Sequence, residues 1–146
     1  MWEVFYMEIW GLKTLALFDW WSLEHLLNGI SLGTAVFIFH QKKNISCKKL
    51  KQHFDIYAVL LLAYMWEVIE HYLETGLLGG GVENWLHGVE FFGNRFITDP
   101  LLVLVGYFLA VRYPFLVIPA RIFSIIWLIV HIFIFPHSMY LHEILF

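Results

Sequence analysis

The sequence predicts an all-α integral membrane protein: a bundle of four transmembrane helices with an N-terminal interfacial helix and a short helix on the outer face. Hydrophobic residues make up 60% of the 146 residues and charged residues 14%, against about 45–50% and 25% in soluble domains. Four apolar stretches alternate with polar ones, and basic and acidic residues occupy alternate connections. This composition excludes a disordered chain, a nucleic-acid-binding domain and an ordinary soluble enzyme. It fits one membrane domain over residues 1–146.

The first element, residues 1–17, is predicted to be a helix lying in the membrane interface. Apolar side chains recur at helical spacing with acids between them, at Trp2, Phe5, Tyr6, Ile9 and Trp10. Such a two-faced helix lies at the boundary between headgroups and acyl chains. The alternative is a fifth short span, which is less favourable because it would bury acids in the membrane.

Four transmembrane spans follow, predicted roughly at residues 22–39, 56–78, 97–113 and 115–135. Each approaches the 20 or so apolar residues that cross a bilayer. Pro100 suits the first turn of the third span, and Pro114 and Pro136 mark the ends of the last two. Residues 79–81 are glycines that predict a hinge. The polar segment 84–96 is expected to fold back as a short helix over the outer face.

The positions of Lys and Arg predict the orientation. Seven of the nine lie in the loop between the first two spans or around the turn between the last two, whereas eleven of the twelve acids lie toward the opposite side. The positive-inside rule places the basic loops in the cytoplasm. Both termini are then non-cytoplasmic, and the plasma membrane is the expected location.

The second span carries the strongest candidate site. Its residues Glu67, Glu70, His71 and Glu74 follow the spacing i, i+3, i+4 and i+7, which places them on one helix face. Three carboxylates this close repel one another, so at least one must hold a proton or a cation must lie among them. The alternative is a helix end with solvated acids, which suits Glu74 but not Glu67, two turns deeper.

The first span offers His25 as a partner for this site. His25 shares a face with Gly29 and Gly33. Small residues allow close helix approach, which predicts that the second span packs here and that His25 meets Glu70. The alternative is a packing face with an incidental histidine. Neighbouring Glu24 is expected to be solvated.

The segment between the hinge and the third span adds further candidates. His87 and Glu90 form an i, i+3 pair. Asp99 precedes Pro100, and a helix cap is the alternative to a functional role there. Arg95 is one of two cations on the acidic side, where it either neutralises acids or holds an anionic headgroup.

The ligand chemistry follows from these residue types. The sequence contains no GxSxG, HExxH, P-loop or EF-hand motif. Carboxylates with imidazoles suit a divalent metal ion or acid–base catalysis. The predicted metal ligands are His25, Glu67, Glu70, His71, His87 and Glu90, and the predicted catalytic residues are Glu67, Glu70, Asp99 and Arg95.

The order of these motifs resembles the YjdF-like proteins, small multipass proteins that themselves resemble the VanZ-like family. The similarity covers roughly residues 19–110. The helix with Asp19, His25 and Gly29 resembles the family's Asp…His…Gly helix, and the run Tyr64-Met-Trp-Glu67-Val-Ile-Glu70 resembles its Tyr-Glu-x-x-Glu signature. The stretch from Asp99 to Gly106 resembles its closing Asp-then-Gly helix. The resemblance marks His25, Glu67, Glu70, Asp99 and Gly106. The sequence departs from the family at two places: His71 stands where an aromatic is common, and Asn94-Arg95 replaces an acidic run. The resemblance implies a site and no particular reaction.

Together these features predict a membrane-embedded enzyme acting on a lipid or polyprenyl headgroup at the outer leaflet, by hydrolysis or group transfer through an activated water. Its partners would be the bilayer and a lipid-like substrate. A second copy of the chain or another membrane-complex subunit is a further expected partner. The first alternative function is a non-catalytic accessory subunit of a larger membrane complex. The second is a proton- or cation-coupled transporter subunit, because intramembrane acids and histidines also mark ion paths.

Overall fold

A computed structural model describes residues 8–42, 48–86 and 88–134. Two short strands, β1 (Glu8–Trp10) and β2 (Ala16–Phe18), pair in parallel and precede five helices. The helices are α1 (Trp20–Lys42), α2 (Lys48–Glu74), α3 (Gly80–Leu86), α4 (Asp99–Arg112) and α5 (Val117–Ile129). A π-helical turn, Asn94–Thr98, leads directly into α4. A 3₁₀ turn, Pro114–Leu116, precedes α5, and a π-helical turn, Val130–Ile134, follows it.

Three helices are long and apolar enough to cross a membrane, over Trp20–Phe39, His53–Glu74 and Asn94–Arg112. The helical segment Pro114–Ile129 is shorter. Large apolar side chains cover the outside of these helices, including Leu61, Met65, Ile118, Ile122 and Ile125, each at least half exposed. Apolar surface on this scale suits contact with lipid rather than water. The predicted membrane class is therefore supported, with three candidate spans.

Helices α1 and α4 form the closest contact in the bundle. A Cβ atom placed on Gly29 would lie 2.3 Å from the carbonyl oxygen of Val103, and one on Gly33 would lie 2.6 Å from Cα of Tyr107. From the other side, a Cβ on Gly106 would lie 2.4 Å from the carbonyl oxygen of Leu26. The expectation that Gly29 and Gly33 pack against the second span is therefore wrong. Gly106 on α4 also lacks a side chain at this contact, so α4 rather than α2 packs against this face of α1.

Helix α4 also contacts α2, and α5 contacts α1. Val59 and Ala63 of α2 pack with Val103 and Tyr107 of α4 in a buried apolar cluster. The start of α1, the end of α2 and the start of α4 meet at one end of the bundle, which we call the acidic end because most buried carboxyls lie there.

The predicted N-terminal helix is wrong for residues 8–17, and residues 1–7 lie outside the described part of the chain. Residues 8–18 form β1, a turn and β2. The turn carries Lys13, whose Nζ lies 2.6 Å from Oε1 of Glu74, and whose carbonyl oxygen accepts a 2.7 Å hydrogen bond from Phe91 N. These long-range contacts override the local helical spacing.

The short helix expected over residues 84–96 is displaced. Helix α3 ends at Leu86, and Gly88 has a φ of +99°, which glycine adopts without strain. The N–H of Glu90 donates 3.1 Å to Oε2 of Glu74 instead of continuing a helix. The helix that restarts at residue 92 belongs to the third span.

Candidate functional site

Buried carboxyls outnumber cations at the acidic end. Seven carboxyl side chains are at most 8% exposed there, those of Asp19, Glu24, Glu67, Glu70, Glu74, Glu90 and Asp99. The buried Lys and Arg side chains among the described residues are Lys13 and Arg95. Unpaired buried charge is very unfavourable. The cluster must therefore hold protons or an additional cation.

A reciprocal cap starts α1 and joins it to this cluster. Oδ1 of Asp19 accepts a 2.9 Å hydrogen bond from Ser22 N, and Ser22 Oγ accepts one of 3.1 Å from Asp19 N. This arrangement is a capping box. Ser22 Oγ also lies 3.2 Å from Oδ1 of Asp99, which ties α1 to the start of α4. Burial raises the pKa of Asp19, against the opposing effect of hydrogen bonds from Ser22.

Glu74 is a buried ion-pair partner rather than the solvated helix end that one reading of the sequence expected. It is 1% exposed. Its Oε1 pairs with Lys13 at 2.6 Å, and its Oε2 accepts from Nη2 of Arg95. The sequence signal for this pair was the isolated Lys13 on the acid-rich side.

Arg95 lies among carboxylates, in the neutralising role that the sequence left open. Besides Glu74, its Nε lies 3.5 Å from Oε2 of Glu90 and 3.9 Å from Oε2 of Glu67. Its Nη1 lies 3.1 Å from Nδ1 of His71, whose side chain is otherwise exposed. The guanidinium thus connects α2 to the segment before α4.

His25 bridges two carboxyls from two other helices. Its Nδ1 lies 3.5 Å from Oε1 of Glu67 on α2, and its Nε2 lies 3.3 Å from Oδ2 of Asp99 on α4. All three side chains are buried, and one potential ligand atom from each lies within 4.8 Å of the others. Both oxygens of Glu67 and Oδ2 of Asp99 are buried without a hydrogen bond. We call these three residues the imidazole–carboxyl centre.

The other predicted ligands lie around this centre. Glu70 is buried against a cavity described below, and Glu90 accepts a 2.8 Å hydrogen bond from Nδ2 of Asn94. His87 lies outside the described residues. His25 was expected to meet Glu70; its nearest carboxyls are those of Glu67 and Asp99, while Glu70 and His25 line the same cavity.

Two adjoining cavities reach the centre, and His25, Asn28 and Trp66 line both. The larger, about 500 Å³, lies among α1, α2 and α4 and is otherwise lined by Ser31, Leu32, Leu62, Ala63 and Val103. The smaller, about 260 Å³, extends toward Trp21, Trp85 and Glu70. Asn28, Leu62 and Trp66 are exposed on the bundle surface, so the larger cavity is a crevice that opens sideways.

Glu24 is buried, which corrects the expectation that it is solvated. It is 4% exposed, and its Oε1 accepts a hydrogen bond from Oγ of Ser124 on α5. No donor among the described residues meets its Oε2 with good hydrogen-bond geometry. Glu24 also lines the smaller cavity.

Comparison of the chain with protein-family models, with curated proteins and with solved structures gives no match. The YjdF-like and VanZ-like resemblance stays a prediction that rests on the sequence motifs alone.

Glu90 is expected to make stability depend on pH. Burial, followed by the negative charge of Glu70, raises the pKa of Glu90 to about 8 from an ordinary value of 4.5. Between these values the folded state binds a proton that the unfolded state releases. This contribution to stability is therefore complete below pH 4.5 and is lost as the pH rises to about 8.

Glu90→Gln keeps an oxygen for Asn94 and removes this titration. In neutral detergent, unfolding midpoints from pH 4.5 to 9 should fall less steeply for Glu90→Gln than for the wild type. Glu83→Gln, at an exposed acid on α3, is the control and should follow the wild type. An unchanged slope for Glu90→Gln would contradict this assignment.

Proposed function

We propose that the protein is a membrane-embedded enzyme that hydrolyses or transfers a group on a lipid or polyprenyl headgroup at the outer leaflet. One observation carries the proposal: a buried imidazole between two carboxyls of different helices, beside a crevice that opens on the apolar surface. A lipid chain enters such a crevice from the bilayer, while its polar linkage reaches the centre.

The centre is suited to acid–base chemistry. A neutral imidazole has one donor and one acceptor nitrogen, so His25 can accept a proton from water while a carboxyl beside its other nitrogen orients the ring. The resulting hydroxide attacks the phosphorus of a phosphoester or the carbonyl carbon of an acyl ester. The bond from that atom to the leaving oxygen breaks, and the imidazolium returns the proton to this oxygen. Glu67, whose two oxygens make no hydrogen bond, stabilises the imidazolium or takes the proton itself.

A divalent metal ion is the alternative for the same residues. His25, Glu67 and Asp99 would hold it and leave a position for water, as in catalytic metal sites with three protein ligands. The imidazole presents a different nitrogen to each carboxyl, which favours proton sharing over a metal ion. Metal analysis of purified protein separates the two mechanisms.

The membrane arrangement we propose has four crossings. The segment from Pro114 to Ile134 is continuously helical, and its length of about 30 Å matches the hydrocarbon core. With four crossings both termini lie on the same side of the membrane. The basic loops face the cytoplasm, so the acidic end and both termini lie on the other side, and the membrane is the plasma membrane. The N-terminal strands then lie over the acidic end, in place of an interfacial helix.

Cys47 gives a direct test of this orientation. It lies in the basic loop and is the single cysteine of the chain. In intact cells it should resist a membrane-impermeant thiol reagent and react only after permeabilisation. The control is the Glu83→Cys, Cys47→Ser variant, which moves the thiol to an exposed position on α3. Its thiol should react without permeabilisation. The reverse pattern would show that the topology is inverted.

Loss of turnover tests the enzymatic proposal. Phospholipid and polyprenyl phosphate substrates in mixed micelles should be hydrolysed by the wild type. His25→Asn and Glu67→Gln should lower the rate about 10²–10⁴-fold, the range that acid–base groups contribute. Glu83→Gln should retain it. A Glu67→Gln, Glu70→Gln double variant with wild-type melting, metal content and activity would contradict the proposal.

A transporter fits the arrangement less well. The cluster of Val59, Ala63, Val103 and Tyr107 lies between the crevice, which Ala63 and Val103 line, and the buried Asp55 near the other end of α2. The Tyr107 hydroxyl donates a 3.2 Å hydrogen bond to Oδ2 of Asp55. An ion path would have to cross that cluster. Proton flux in liposomes provides the measurement that distinguishes the two functions.

A further inference from the structure

The smaller cavity combines aromatic rings with carboxyl groups. Three indoles line it, from Trp21, Trp66 and Trp85, together with the carboxyls of Glu24 and Glu70. The rings of Trp21 and Trp85 lie 6.5 Å apart at 72° to each other. The residues lining it in the described part of the chain include no Lys or Arg. We call this cavity the aromatic–acidic chamber.

A buried acceptor in this chamber lacks a well-placed hydrogen-bond donor. No donor among the described residues meets Oε2 of Glu24 with good hydrogen-bond geometry, although the residue is 4% exposed. Asn28, whose side chain interacts with this carboxyl, is neutral. An unsatisfied buried carboxylate oxygen is unfavourable. The two cations of the acidic end pair with Glu74 instead. A positively charged ligand would complete the chamber.

The lining favours an organic cation over a metal ion. Indole faces attract cations through the ring quadrupole and recognise ammonium groups in aromatic cages. Metal ions need oxygen, nitrogen or sulfur lone pairs, which the three tryptophans do not offer. At 260 Å³ the chamber has the volume of about nine waters in the liquid, which is enough for a substituted ammonium group.

The neighbouring crevice supplies room for a tail. It shares His25, Asn28 and Trp66 with the chamber, and its other lining is mainly apolar. Its volume of about 500 Å³ lies within the range of small-molecule pockets. A molecule with its head in the chamber and its chain in the crevice passes directly beside His25.

We propose that the aromatic–acidic chamber and the crevice together bind an amphiphile with an organic ammonium head and a single hydrocarbon chain in the crevice. The binding claim stands on the two cavities; that the amphiphile is the substrate rests on the proposed function. The chemistry is shared by free alkylammonium compounds and by lipids with ethanolamine or choline headgroups. In either case the polar linkage lies between head and chain, beside the imidazole–carboxyl centre.

Binding of decyltrimethylammonium to purified protein in neutral maltoside micelles tests the proposal. Calorimetric titration should give one saturable site per chain, and decyl sulfate, with the same chain and opposite charge, should give none. Native mass spectrometry with phosphatidylethanolamine and phosphatidylglycerol of identical chains identifies the source. Preferential retention of phosphatidylethanolamine indicates a lipid headgroup, and its absence alongside decyltrimethylammonium binding indicates a free alkylammonium compound.

Two variants locate the site. Glu24→Gln should weaken decyltrimethylammonium binding about tenfold, and Trp66→Leu should do the same by removing one ring face. Glu83→Gln and Trp10→Leu are the controls. Trp10 is 51% exposed and Trp66 50%, so the control removes a ring of the same exposure. If Glu24→Gln unfolds, the result for Trp66→Leu decides.

Equal binding of decyl sulfate, or unchanged binding by folded Trp66→Leu, would overturn the proposal. The enzymatic proposal can fail separately. Ammonium binding without turnover of any lipid leaves the binding site standing and removes the proposed activity. Lipid turnover without any binding of decyltrimethylammonium leaves the activity standing and removes the proposed binding site.

Discussion

Arg95→Met is expected to destabilise the protein by about 3–5 kcal/mol, the usual result of removing one partner from a buried ion pair. The guanidinium contacts Glu74 directly and lies 3.5 Å from a carboxyl oxygen of Glu90 and 3.9 Å from one of Glu67. Without it, three buried carboxyls face one another with Lys13 as the nearby cation. Reversible unfolding in neutral detergent, followed by circular dichroism, measures the loss.

Arg112→Met provides a matched control, because Arg112 ends the same helical segment that contains Arg95. It is exposed, and its guanidinium lies 5.7 Å from the ring centre of Tyr113. Exposed substitutions usually change stability by about 0.5 kcal/mol or less. A similarly small change for Arg95→Met would show that the cluster is neutralised by other means. The loss should also be larger at pH 9 than at pH 5, because Glu90 takes up a proton at the lower pH.

Gly106→Ala should separate α1 from α4. The new methyl would lie 2.4 Å from the carbonyl oxygen of Leu26 and 2.7 Å from the N of Ile30, about 1 Å closer than carbon and oxygen atoms normally approach. Both neighbours are helical backbone and cannot rotate away. Overpacking of this kind costs about 1–3 kcal/mol, occasionally more.

Gly81→Ala on α3 is the control, because a Cβ there meets nothing within 4 Å. It should be neutral or stabilise the fold by up to about 1 kcal/mol. Unfolding midpoints of both variants, with turnover measured beside them, check the result. Since α1 and α4 carry His25 and Asp99, Gly106→Ala should also reduce turnover, and wild-type stability in this variant would contradict the observed helix contact.

The shared helix face of the second-span acids follows from helical spacing. Glu67, Glu70 and Glu74 are three, four and seven residues apart, and the structure buries all three on one side of α2. His71 belongs to the same stripe in sequence but is exposed. Spacing predicts which residues neighbour one another on a helix. Which of these residues become buried depends on where α4 and the N-terminal turn pack against α2.

The pairing of residues from different segments could not be predicted from spacing. His25 was expected to meet Glu70 because Gly29 and Gly33 offered a close approach to the second span. Gly106, on another helix, completes that approach, so His25 lies between Glu67 and Asp99. Lys13 likewise reaches Glu74 over 61 residues, and that contact replaces a helix with a strand-and-turn structure.

The apolar composition, the approximate helix boundaries and the concentration of acids at one end follow from the sequence, because hydropathy and helix-breaking residues act within a segment. The choice of helix partners, the burial of Glu24 and Glu74 and the shape of the two cavities required the tertiary structure. Each depends on a pairwise fit between distant surfaces, such as backbone against backbone at Gly29 and Gly106, and no property of one segment encodes that fit.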